Sequence, residues 1–448
     1  MNAVTASPQA KRVALVTFGC AKNLVDSEVM LGHLRRAGYV TTADEKSADI
    51  IILNTCGFIR PAREEVERGI DRAISIKRKF PDQRLAVTGC YVERSLDELK
   101  TRYPEVDIWL GVRDFDKIAP ALEGRRYRPG RSVFLCGPES PRVLSTPGTW
   151  AYLKISEGCS HECSFCAIPR IKGPYRSRTT ASVLAEAREL VRRGVKEINL
   201  VSQDTTYFGR DRGRREALAG LLGQLADIRG LRWIRFLYGY PEEVTPALLD
   251  AMSEPKVCRY LDLPFQHADR GVLRLMRRSF DGRRALAFIE NIRKRLPGVS
   301  LRTSLIVGFP GEGRREFANL REFVHEARFD HLGAFAYSLE AGTASFGLGD
   351  PVAGKEKLER LEEIMALQAG ISRETNRKYL HRRLDVLLEA AVKGRSDAWT
   401  GRARFQAPEV DGVVRVLSRR SNPAAVRAIE KVEIVAAQVY DLRGIIVE

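Results

Sequence analysis

Cysteine is the residue type here best placed to do chemistry. The chain has eight: Cys20, Cys56, Cys90, Cys136, Cys159, Cys163, Cys166 and Cys258. Three lie in one short stretch, GCSHECSFC, with three and then two residues between them (Cys159, Cys163, Cys166). Thiolates at this spacing can wrap three irons of a cubane cluster. Such clusters ordinarily take four cysteines, so one iron would stay open to bind another molecule. A zinc loop is the alternative, and His161 is the one local candidate for its fourth ligand.

The second set is scattered in sequence. Cys20, Cys56 and Cys90 each close an apolar run, in TFGC, NTCG and VTGC. In an open α/β sheet, ligands gather beyond the carboxyl ends of the strands. Three cysteines at three successive strand ends would therefore converge on a second site, again with an open position. Each stands beside a glycine, which lets backbone approach a bulky group. The alternative is three buried free thiols. Cys136 and Cys258 have no partner pattern and read as structural. A disulfide framework does not suit a large chain in a reducing compartment, so metal binding or catalysis is the better reading of the clusters.

These residues need a frame. Over the first ~120 residues, apolar runs at 13–18, 49–55 and 84–89 alternate with helical patterns at 26–37, from about 62 and from 95. Short continuous apolar runs suit parallel strands buried on both faces, and so an open parallel α/β domain. Residues 124–148, rich in Gly, Pro and Arg, read as a linker. Candidate strands follow at 151–156, 197–202, 233–237, 259–265, 299–307 and 331–338, with helices such as 181–193 and 283–295 between them. Six β/α repeats predict a partial TIM-like barrel, with GCSHECSFC beyond the end of its first strand, where barrel active sites sit. A charged helix spans about 355–380. The last ~70 residues change to short strands and predict a small antiparallel β-barrel.

Bulk properties agree. A chain of 448 residues, 44% hydrophobic and 29% charged, suits two or three soluble domains. No run is long and apolar enough to span a bilayer. The start, MNAVTASPQAKR, reads as a short disordered segment and not a signal peptide, which predicts a cytoplasmic protein. The net charge of +17 points to an acidic partner such as RNA or a ribosome. It is equally what an Arg-rich surface gives without one.

The CxxxCxxC loop with Phe165 before its last cysteine resembles the radical S-adenosylmethionine (SAM) superfamily. The two cysteine sets, their order and the small terminal barrel together resemble the radical SAM methylthiotransferases, over nearly the whole chain. The resemblance implies a methylthiotransferase N-terminal domain at 11–124, a linker at 125–148, a radical SAM core at 149–376 and a TRAM domain at 377–448. It implies two 4Fe-4S clusters: Cys159, Cys163 and Cys166 hold the one that binds and cleaves SAM, and Cys20, Cys56 and Cys90 hold an auxiliary one. One SAM supplies a methyl group and a second a radical. The family has a tRNA branch, acting on a hypermodified adenosine, and a ribosomal-protein branch, acting on the β-carbon of an aspartate in ribosomal protein twelve of the small subunit. GCAKNLVDSEVMLG, SQDTTYFG, LPFQHADRGVLRLMRR and APEVDGVV resemble the ribosomal-protein branch. GFPGEGRREF and RVLSRRSNPAAVRAIEKVEI depart from the family pattern and leave loop shape and partner docking open. The implied partners are that ribosomal protein, free or on the assembled subunit, and an electron donor such as flavodoxin or ferredoxin. A monomer is expected, with no membrane association.

A few other residues carry expectations. Gln203 and Asp204 follow the second barrel strand, where a carboxylate could meet the SAM amine; a turn-capping Asp is the alternative. Phe165 could pack on adenine or simply in the core. His267 reads as a structural histidine sooner than a general acid. Gly308, Pro310 and Gly311 form a turn, not a phosphate loop, since no GK[ST] follows. Arg402, Arg404, Arg419 and Arg420 could form a solvated basic face on the terminal barrel, which is expected to dock the protein substrate.

Overall fold

The computed structural model describes residues 10–418 and 429–447. Most of the N-terminal start, together with Arg419, Arg420 and most of the unusual insertion beside them, lies outside the described residues. The described residues divide into two compact units; the first holds 10–145, 157–161 and 166–176, the second the other described residues.

The first unit is a five-stranded parallel sheet. In chain order its elements are β1 (Arg12–Thr17), α1 (Ala21–Arg36), β2 (Val40–Thr41), β3 (Ile50–Thr55), α2 (Arg60–Lys77), β4 (Arg84–Gly89), α3 (Cys90–Arg102) and β5 (Ile108–Leu110). The strands lie in the order β2-β1-β3-β4-β5. Side chains alternate across the pleat, so β3 feeds both cores. Ile51 and Leu53 pack with Val66, Ile70 and Ala73 of α2. Ile50 and Ile52 pack with Met30 and Leu34 of α1. The three apolar runs are the three central strands, as expected. The two edge strands have two and three residues, too short to show a period. Helix α3 starts at Cys90 and not at Ser95, because a kink at Ser95 (φ −142°, ψ 38°) separates its first turn from the rest.

Among the described residues, 125–148 carry neither helix nor strand, yet they are packed. Gly32 of α1 lets the segment cross it: a Cβ there would lie 2.2 Å from the Pro141 carbonyl oxygen. The first unit also takes in a short helix, α4 (Ile168–Lys172).

The second unit contains six parallel strands, β6 (Trp150–Lys154), β7 (Glu197–Val201), β8 (Trp233–Phe236), β9 (Tyr260–Asp262), β10 (Ser300–Val307) and β11 (His331–Ala336). They form two runs, β8-β7-β6 and β9-β10-β11, and a parallel bridge between Ile234 and Val257 links β8 to the segment entering β9. This is the partial barrel expected from six β/α repeats, with helices such as α5 (Thr180–Arg192), α6 (Gly282–Arg295) and α7 (Gly354–Arg377). The last five strands, β12 (Arg383–Ala391), β13 (Ala398–Ala403), β14 (Val414–Leu417), β15 (Ile429–Ala437) and β16 (Leu442–Ile446), close into a barrel around Val386, Leu388, Trp399 and Val432.

Two terminal-barrel arginines correct the expectation of a solvated face. Arg402 is 1% exposed. Its Nη2 donates to Glu197 Oε2 at 2.6 Å, at the first residue of β7. Arg404 Nη2 donates to the carbonyls of Pro255 and Val257 at 2.6 and 2.8 Å. Buried guanidinium groups need such partners. The APEVDG loop follows the same path: Tyr152 donates to Glu409 at 2.9 Å and Tyr260 to Asp411 at 2.7 Å. Glu197, Tyr260 and His331 begin their strands, so Arg402, Phe405 and Asp411 of the terminal barrel cover the amino end of the partial barrel; barrel active sites sit at the other end.

Candidate metal centres

Three strand ends of the first unit meet at the N-terminal cysteines. Cys20 caps α1 just after β1, Cys56 follows β3, and Cys90 opens α3 directly after β4. The sheet order reverses beside β1 and β3, and ligands of doubly wound sheets bind at such a switch point. The neighbouring glycines allow the close approach. A Cβ on Gly19 (φ +93°) would sit 2.7 Å from Cys56 Cβ, and one on Gly57 would sit 2.8 Å from the carbonyl carbon of Cys90. A Cβ on Gly89 (φ +103°) would meet the Thr55 oxygen at 2.6 Å.

A buried amide fixes this geometry. Asn23 Nδ2 donates to the carbonyls of Phe18 and Thr55 at 3.1 and 3.0 Å, and the Cys90 thiol points to its Oδ1 at 3.7 Å. Asn54 Nδ2 donates back to the Asn23 carbonyl at 2.9 Å. Burial pushes the Cys56 thiol up to about 11, helped by neighbouring Cys20. Burial pushes Cys90 up to about 12, with Lys172 pulling it down and the other two cysteines adding to the rise. Among the described residues, no group of three or more His, Cys, Asp or Glu gathers tightly enough for a single metal ion. A cubane binds each thiolate at a different iron and needs a wider set. The donor set here is all thiol, which suits iron–sulfur chemistry.

The second set lies on the loop 159–166. Cys159 and Cys166 belong to the first unit, Cys163 to the second. In the first, Gly158 (φ +82°) approaches Pro174 too closely for any side chain, and Cys159 N donates to the Gly173 oxygen at 3.1 Å. In the second, Ser164 N donates to the Met276 oxygen at 3.1 Å and its Oγ to the Leu275 oxygen at 2.7 Å. Arg278, stacked 3.9 Å over the Tyr240 ring, directs Nη1 to Cys163 Sγ at 3.8 Å. All three loop cysteines are half-buried.

The remaining candidates fall as follows. Phe165 is half-buried and packs on Phe309, with ring centroids 6.5 Å apart. Gln203 and Asp204 lie just past β7, and Asp204 Oδ1 caps a turn by accepting from Thr206 N at 2.9 Å and Tyr207 N at 3.2 Å. His267 is a satisfied core residue: Nδ1 accepts from Asp269 N at 3.0 Å, so Nε2 donates to Glu312 at 2.9 Å. Glu312, in the divergent GFPGEG turn, also accepts from Gly308 N and Arg360. Cys136 and Cys258 are buried. Sequence reasoning missed Asn23, Lys172 and Arg278. Asn23 and Arg278 stand in stretches singled out for other reasons, and their polar contacts cross 32 and 115 residues of chain.

Comparison with known proteins decides the family. Residues 12–111 match the uncharacterized protein family UPF0004, 153–324 the radical SAM superfamily, and 382–447 the TRAM domain. The ribosomal protein uS12 methylthiotransferase RimO of Aquifex aeolicus (strain VF5) is 44% identical over 435 residues, covering 97% of this chain and 96% of that protein. The RimO of Geotalea uraniireducens (strain Rf4) is 44% identical over 448 residues, covering 98% of each.

The chain belongs to the RimO family.

It is thus a radical SAM methylthiotransferase, an enzyme of SAM and an iron–sulfur cluster. The RimO-family chain shares its fold with more distant proteins. The radical SAM methyltransferase TsrM from Kitasatospora setae, solved with cobalamin and a [4Fe-4S] cluster, superposes with a TM-score of 0.52 at 15% identity, over 73% of this chain and 75% of that one. The cobalamin-dependent radical enzyme OxsB superposes with a TM-score of 0.52 at 13% identity, over 80% and 56%. Among the described residues of this RimO-family chain, no helix is long and apolar enough to cross a membrane.

Proposed function

We propose that this enzyme works in the cytoplasm and attaches a methylthio group to the β-carbon of an aspartate in ribosomal protein uS12, giving 3-methylthioaspartate. One observation carries the reading: three cysteines at adjoining strand ends, Cys20, Cys56 and Cys90, in a chain that also has the CxxxCxxC loop of a radical SAM core. In this reading Cys159, Cys163 and Cys166 hold the 4Fe-4S cluster that binds SAM, and Cys20, Cys56 and Cys90 hold an auxiliary one. When bound, these clusters supply the electron that cleaves SAM and an open iron for the sulfur to be transferred.

The chain's own residues bind and shield. Arg278 and Tyr240 cover Cys163. Asn23 holds two strand ends in place around Cys90. Gln203, Asp204 and Phe165 are the residues we assign to SAM, with Asp204 facing its amine. The covered amino end of the barrel keeps water from entering from below. The terminal barrel docks uS12, and a flavodoxin or ferredoxin supplies electrons to a monomeric enzyme.

The test is direct. The anaerobically reconstituted enzyme is incubated with SAM, reductant, a sulfur source and uS12, and the protein is weighed by mass spectrometry. A methylthio gain on one aspartate is expected. Deoxyadenosine without any gain on uS12 would overturn the substrate assignment and make tRNA the next substrate to try. Serine at Cys159, Cys163 or Cys166 should abolish SAM cleavage, while serine at Cys20, Cys56 or Cys90 should spare cleavage and lose sulfur insertion.

A further inference from the structure

Lys172, the last residue of α4, is 3% exposed and its ammonium is enclosed by charge. Nζ lies 3.5 Å from Asp26 Oδ2 and 3.6 Å from Glu157 Oε2, both fully buried, and 5.5 Å from the centre of the Phe115 ring. Both carboxylate contacts are long for an ion pair, so the ammonium settles on neither. Ile171, the residue before Lys172, packs in one core cluster with Cys90 and Phe115, and the ammonium acts electrostatically on the Cys90 thiol. Asp26 lies on α1, the helix that Cys20 caps, and Glu157 lies two residues before Cys159. All of these residues belong to the same compact unit.

Burying a lysine is unfavourable by several kcal/mol unless it is well paired. Two carboxylates around one ammonium already leave a net negative charge. Three thiolates on a dipositive cubane core would add another, and one-electron reduction a third. Lys172 is the buried cation between Asp26 and Glu157, and its charge also acts on the Cys90 thiol.

We propose that Lys172 is a positioning residue for the N-terminal cluster, setting its reduction potential by holding a positive charge near Cys90. The inference rests on the reading that these cysteines hold a cluster. Removing the charge disfavours the reduced form, which carries one more electron. An elementary charge a few ångströms away in a protein interior outweighs thermal energy several-fold. The ratio of reduced to oxidised cluster at a fixed potential should therefore fall at least about tenfold, equivalent to ~59 mV for one electron.

The experiment uses the full chain with serine at Cys159, Cys163 and Cys166, so that only the N-terminal site can load. After reconstitution with iron and sulfide, the cluster is titrated with dithionite and followed by electron paramagnetic resonance. Lys172→Met should load and show the tenfold fall, and Lys172→Arg should stay within about threefold of the parent. A Lys172→Met ratio within twofold of the parent would overturn the inference while leaving the two-cluster reading intact. A parent that takes up no cluster would overturn the two-cluster reading itself. If Lys172→Met does not fold, Asp26→Asn decides: losing a negative charge there should raise the ratio at least threefold, and an unmoved or lowered ratio refutes the proposal.

Discussion

Arg142 and Glu28 form a buried pair across 114 residues of chain, with Arg142 Nε and Nη2 both donating to Glu28 Oε2 at 2.8 and 2.6 Å. The other carboxylate oxygen accepts from Ser145 N at 2.7 Å and Ser145 Oγ at 2.9 Å. This carboxylate thus straps the segment after α3 and β5 onto α1, the helix headed by Cys20. Arg142→Ala would leave Glu28 charged, buried and half-satisfied, a change that destabilises by about 3–5 kcal/mol. Hydrogen–deuterium exchange across α1 should report it as a loss of protection of at least about a hundredfold. The double change Arg142→Met with Glu28→Met leaves no orphan charge and should lose less than the single one.

Acid should release the cover at the amino end of the partial barrel. Glu197 accepts from Arg402 Nη2 at 2.6 Å and Arg235 Nε at 3.0 Å. Burial is the largest influence on its carboxyl and acts upward, yet the two guanidinium groups together hold it below the usual range. A carboxylate whose folded value lies below its unfolded value, about 4.3, contributes its full stability above that pH. The contribution is lost as pH falls toward the folded value. Arg402→Met removes one of the two cations. Its acid-unfolding midpoint by circular dichroism should therefore move to higher pH, with a loss of about 3–5 kcal/mol at neutral pH. An unchanged midpoint would mean that Arg235 suffices alone.

What the sequence made legible, and what it hid, follows from how each feature is encoded. The three central strands of the first sheet show as apolar runs, and burial on both faces makes that signal continuous in β3 and β4; the six barrel strands, several with polar residues in them, were legible through their alternation with helices. The strand-end cysteines were legible because each run stops at one. The strands Val40–Thr41 and Ile108–Leu110 were not, since edge strands this short carry no period. Arg402 read as a surface cation because its partners, Glu197 and Glu389, lie 205 and 13 residues away. Lys172 was hidden in the same way: a buried ammonium looks like any lysine until the fold brings Asp26 and Glu157 to it. Long-range polar pairing leaves no periodicity, so reading along the chain recovers the frame and the strand-end cysteines but not the buried charges near them.

The N-terminal thiols should titrate late in the apo-protein. With Cys56 at about 11 and Cys90 at about 12, both are protonated at neutral pH, whereas an ordinary thiol near 8.5 is partly ionised at pH 8. The thiolate is the reactive form. Iodoacetamide labelling, mapped by mass spectrometry under anaerobic conditions, should be slower at pH 8 than that of free cysteine by roughly two hundredfold at Cys56 and roughly two thousandfold at Cys90. It should rise about tenfold per pH unit between 8 and 10. Iron must displace the same protons, so reconstitution of this site should also quicken over that range.

Gly57 is a stringent point of the N-terminal centre. A Cβ there would lie 2.7 Å from Tyr91 Cα and 2.8 Å from the carbonyl carbon and oxygen of Cys90, all main-chain atoms at the start of α3. Side chains yield at such distances by rotating, but backbone must move as a piece. Gly57→Ala should therefore push the first turn of α3, and Cys90 with it, away from the end of β3. A chain with both sites loaded carries about eight irons, four in each cubane. The variant should fall toward about four by iron analysis, because Cys159, Cys163 and Cys166 are untouched, and SAM cleavage should persist. Gly220→Ala is the control: nothing lies within 4 Å of its added methyl, so the helix accepts it and the iron count should not change. Full iron content in Gly57→Ala would mean that the strand ends tolerate a wider spacing, and that the glycine serves folding and not the cluster.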